Sequence, residues 1–80
     1  MRGVFLVTTA DTVTEQALTL AATGSEGAGP VQQLLQTADN RRVAVVKARQ
    51  NVLAIRDEGS DDRAEGAVVL LDAVLDQMPI

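Results

Sequence analysis

From Val31 to Glu58 the chain runs without a glycine or a proline, and that stretch limits the fold more than any other feature. No strong helix breaker interrupts it. Pro30 stands where a first helical residue belongs, its fixed φ suiting that position. Gly59 closes it, as the residue that accepts a left-handed helix end at low cost. Heptad spacing runs through it: Val31, Ala38, Val45 and Val52, with Leu34, Arg41, Ala48 and Ile55 three positions after each. Arg41 is the one violation. This pattern predicts a long helix over 30–58 that packs in a coiled-coil-like way.

Apolar stripes and punctuation place the other elements. Thr12 with Glu15 three residues on is a capping-box signature. It predicts a helix over 12–22 with Val13, Ala17, Leu20 and Ala21 on one face, ended by Thr23-Gly24. Residues 23–29 read as a glycine-rich linker, and 1–11 as an extended N-terminal segment with a β-branched run at 4–8. Ser60 or Asp62 caps a last helix over 60–78, Asp62 pairing with Glu65 in a second capping box. Ala64, Ala67, Val68, Leu71, Val74, Leu75 and Met78 form its stripe. The connection between the last two helices is so short that they must lie antiparallel. The expected fold is all-α, a single small domain over 1–80: a short N-terminal helix followed by a long antiparallel helical hairpin.

Composition narrows function mainly by exclusion. With no cysteine and no histidine, there is no disulfide scaffold and no thiolate or imidazole metal site. Catalysis through a histidine base or a cysteine nucleophile is equally excluded. No catalytic residue, cofactor or metal is expected, and the chain reads as a non-enzyme. The balance of 11 acidic against 7 basic residues, a net charge of −4, argues against nucleic acid as the main partner. The apolar run at 4–7 is shorter than the ~7–15 residues of a secretory core or the ~20 of a membrane span. A cytoplasmic location away from membranes is therefore expected.

The core is expected to be thin. One aromatic residue, Phe5, and 12 alanines give little buried area per residue. Small scaffolds of this kind sit near zero in net stability without a staple, and self-association is the staple left open. On a wheel of ~100° per residue, Arg42, Arg49 and Arg56 fall within ~40° of each other inside a wide apolar arc. Ala38, Val45 and Val52 border them on one side; Leu35, Val46 and Leu53 border the other. An arc covering half the circumference asks for two partners, the last helix and either the first helix or a second subunit. The candidate interface is therefore Leu35, Arg42, Val45, Val46, Arg49, Val52, Leu53 and Arg56, facing a second copy (a dimer before anything larger) or another protein. The last helix carries a matching acidic stripe, Glu65, Asp72 and Asp76. A hairpin turning near residue 59 would set Arg42 by Asp76, Arg56 by Asp62, and Arg49 between Glu65 and Asp72. The arginine row is then either a register device sealing the hairpin or a surface for acidic or phosphorylated partners.

Two other constellations stop short of a site. Gly24-Ser25-Glu26-Gly27-Ala28-Gly29 precedes a helix as phosphate loops do, but lacks their Lys-Ser/Thr pair and carries Glu26. Asp57-Glu58 and Asp61-Asp62 lack EF-hand spacing, and Asp61-Asp62 read as caps. In element order alone, and over about half the chain, the run at 4–8, helix at 12–22, loop and helix from 31 resemble ribbon-helix-helix antitoxins. That resemblance implies a small DNA-binding regulator as the alternative function. The strand of that family presents polar or basic residues on alternate positions. Here the alternatives are Arg2, Val4, Leu6, Thr8 or Gly3, Phe5, Val7, Thr9, which are mostly apolar.

Overall fold

A computed structural model describes residues 9–24, 29–38 and 40–78. The extended run at 4–8 and residues 25–28 of the linker lie outside the described residues. Those described form an all-α fold of four helices with no strand: α1 (Ala10–Ala22), α2 (Gly29–Leu34), α3 (Arg41–Glu58) and α4 (Ala64–Gln77). A single 3₁₀ turn, Leu35–Thr37, follows α2. α1, α3 and α4 pack pairwise around one core, and α2 with its 3₁₀ turn covers part of α1 and α3.

α1 begins two residues before the Thr12–Glu15 signature. Thr9 is its N-cap, in extended conformation, and its hydroxyl accepts from the Thr12 N–H at 3.3 Å. Thr12 is thus the residue capped, not the cap. Further along, Thr14 is the one buried polar side chain among the described residues. Its hydroxyl donates to the Ala10 carbonyl at 2.7 Å and accepts from Asn51 Nδ2 at 3.2 Å. A buried hydroxyl would be costly unpaired; here it ties α1 to α3.

The long second helix is broken. After the 3₁₀ turn Ala38 is extended, and Asn40 (φ −139°, ψ 105°) caps a new helix by accepting from the Val43 N–H at 3.1 Å. Asparagine competes for local backbone donors, which makes it a poor interior helix residue and a strong N-cap. The break also has a packing consequence. Continuing the heptads would drive Arg41 into the seam. Instead Val31 and Leu35 fold over the bundle and are fully withdrawn from solvent, while Arg41 stays exposed.

α3 ends at Gly59 in the left-handed conformation (φ 69°), where its N–H reaches the Arg56 carbonyl at 3.0 Å. The turn to α4 is longer than expected, and Asp61 organises it in place of Ser60 or Asp62. Its carboxylate accepts from the Arg63 backbone N–H at 2.9 Å, and its carbonyl accepts from the Ala64 N–H. Leu71 and Val74 of α4, Val13 of α1, and Val45 and Val52 of α3 are fully buried. Helix α4 approaches α1 closely at Gly66, where an added Cβ would lie 3.1 Å from the Ala21 Cβ.

Two substitutions test this packing by thermal or urea denaturation. Leu71→Ala removes a side chain with no exposure and is expected to cost about 3 kcal/mol. Gly66→Leu forces a bulky side chain against Ala21 and is expected to cost about 2 kcal/mol while separating α1 from α4.

Candidate protein interface

The bundle divides the eight candidate interface residues into two groups. Leu35, Val45 and Val52 have at most 1% exposure and belong to the internal core, where no partner can reach them. Their share of the wide arc is covered from within the chain. Arg42, Val46 and Arg56 remain exposed, and Arg49 and Leu53 are half-buried. These five lie together along the edge of α3 that borders α4, within ~80° on the wheel.

Only part of the expected charge pairing forms. Arg49 Nε donates to Asp72 Oδ1 at 2.6 Å, joining α3 to α4. Arg42 does not reach Asp76, and Arg56 lies 3.8 Å from its neighbour Asp57, not Asp62. The longer turn explains the shift. The contact between 49 and 72 displaces the hairpin register from the one drawn around residue 59. The Arg49–Asp72 side chains are 38% and 47% exposed, so the pair sets register more than it stabilises.

Beside it, α4 presents Glu65, Asp72, Asp76 and Val69 within ~60° on its own wheel. Val69, at 68% exposure, is the most exposed large apolar residue described. Sequence reasoning left it out of the interface, although the signal was there: it is a valine standing off the apolar stripe of its helix. Val43 is a similar case on α3, where Arg42, Val43, Val46, Lys47 and Gln50 line a shallow groove. A larger open cleft of about 730 Å³ lies at one end of the bundle. Arg41, Arg42, Asn40, Gln36 and Met78 are among its lining residues, and Gln32 Nε2 donates to Gln77 Oε1 beside it.

The hairpin turn has its own electrostatics. The Arg63 guanidinium binds the Asp61 carboxylate through Nε and Nη2, at 2.9 and 2.6 Å. That hydrogen bonding, with the Arg63 backbone N–H second, holds the Asp61 carboxyl down at about 2 against the usual 3.8. Among the described residues no group of histidine, cysteine, aspartate or glutamate could hold a metal ion. No described helix is long and apolar enough to cross a membrane.

Comparison with protein families, characterised proteins and solved structures finds no match for this chain.

A double-mutant cycle on Arg49→Ala and Asp72→Ala is expected to give a coupling below about 1 kcal/mol that shrinks as salt is raised. For Asp61 the folded-state pKa is depressed. Its contribution is therefore present above the usual 3.8 and is lost as pH falls through about 2. In an NMR titration the Arg63→Ala variant is expected to bring the Asp61 carboxyl back towards 3.8.

Proposed function

We propose that this chain is a non-enzymatic protein–protein interaction module, cytoplasmic, that works through the outer edge of α3. One observation carries the reading. After the core is filled, the row Arg42, Val46, Arg49, Leu53 and Arg56 still offers continuous apolar and cationic surface to a partner. Alternating aliphatic side chains and arginines suit protein interfaces, where arginine is enriched and lysine depleted. The thin aliphatic core adds to this, because association would supply stability that the isolated bundle lacks.

A second reading, a small DNA-binding regulator, rests on the grouping of Arg41, Arg42 and Lys47. These three have no ion-pair partner among the described residues and fall within the first two turns of α3, Arg41 and Arg42 lining the end cleft and Lys47 the side groove. Three phosphate contacts would give a log–log salt slope of about −2.7, which a titration against duplex DNA would detect.

Val46→Glu tests the interaction reading, because Val46 is outside the core and its replacement is expected to change stability by no more than about 0.5 kcal/mol. Far-UV circular dichroism and the melting temperature are expected to stay at parent values. Cross-linked species formed by the parent in native lysate are expected to disappear. A folded Val46→Glu protein that keeps every such species would overturn the reading.

A further inference from the structure

We infer that the partner is a second copy of this chain, docked so that α3 of one copy lies on α4 of the other about a twofold axis running along the hairpin. The inference rests on the interaction reading above and names its occupant. The open face of the hairpin is self-complementary. From α3 it presents Arg42, Arg49 and Arg56; from α4 it presents Glu65, Asp72 and Asp76, three cations beside three anions. Val46, Leu53 and Val69 supply its apolar surface. Among the described residues of one chain, only Arg49–Asp72 closes across the two helices. Among the described residues, Arg42, Glu65 and Asp76 have no ion-pair partner.

Face-to-face docking of two identical hairpins offers two simple twofold axes, and charge distinguishes them. An axis across the helices sets α3 on α3 and α4 on α4, so arginines meet arginines and carboxylates meet carboxylates. Like-charge juxtaposition of this kind disfavours an interface strongly. An axis along the hairpin sets each arginine row on a carboxylate row, twice, as an isologous contact requires. Rotation about that axis preserves height along the helices. At 1.5 Å of rise per residue, Arg56 then stands level with the partner's Glu65, and Arg42 stands ~4.5 Å beyond the partner's Asp76, within an arginine's reach.

The size of the face fits a dimer that dissociates on dilution. α4 is ~21 Å long, and two helices are ~20 Å wide, giving a footprint of ~400–500 Å² per copy. The total of ~800–1,000 Å² lies below the ~1,200 Å² of stable complexes, in the range of weak, reversible ones.

Charge reversal tests this without threatening the fold. Arg42→Glu puts an acid in the first turn of α3, and Asp76→Lys puts a base in the last turn of α4. Both suit the helix dipole, so each monomer is expected to melt no lower than the parent. In sedimentation equilibrium the parent is expected to form a dimer that weakens with salt, and each variant to dimerise at least about tenfold more weakly. Mixed in equal amounts, the two variants are expected to form a 1:1 heterodimer, identified by mass in native mass spectrometry. A monomeric parent, or a mixture with no heterodimer, overturns the self-docking inference. If the parent is monomeric while Val46→Glu still loses its cross-linked species, the occupant named here is wrong and the interaction reading survives. If neither changes, both fall.

Discussion

Helix α3 packs on both α1 and α4, which also pack on each other, and the rest of the molecule depends on that three-way contact. Its inward residues are small and aliphatic: Ala44, Val45, Ala48 and Val52, all buried. Side chains of this size let helices approach closely but fill little volume, so two neighbours are needed to withdraw one such face from water. α1 reaches it through the Asn51–Thr14 hydrogen bond and α4 through Arg49–Asp72. The close approach at Gly66 brings α1 and α4 together behind it. What neither neighbour covers is the outer edge of α3, and that residue of uncovered surface is the basis of the functional proposal.

The break between α2 and α3 decides which residues end up on that edge. With Asn40 as cap, the arginine pair 41–42 starts a helix in solvent, and the apolar pair Val31 and Leu35 closes the end of the core. An uninterrupted helix would have exchanged these roles. It would have given Leu35 to the interface and brought Arg41 into the seam. The cationic character of the exposed edge therefore follows from a capping event several residues away from most of it.

Much of the fold was legible because local signals agreed with one another. Gly59 marked the end of α3, the α4 stripe held every buried residue of that helix except Leu70, and the short connection implied the hairpin. The helix break was also written in the chain, as Arg41 at a seam position directly after Asn40, but periodicity on either side masked it. Thr9 as the cap of α1 was hidden because Thr12 and Glu15 made an equally good motif. Within the candidate interface, the wheel identified the right sector of α3 but not its depth. Leu35, Val45 and Val52 could be assigned to the core only once α1 and α2 were placed, which is a tertiary matter that one helix's periodicity does not contain. Val69 was missed for the opposite reason: on α4 the long apolar stripe drew attention away from the valine outside it.

The central claim is that association uses the outer α3–α4 face and leaves the internal core untouched. Methyl NMR spectra of the full chain, recorded over a dilution series at low salt, test it most directly. Resonances of Val46, Leu53 and Val69 are predicted to move with concentration, while those of Leu35, Val45 and Val52 stay fixed. Outer methyls that hold still at every concentration, or core methyls that move in their place, would contradict it.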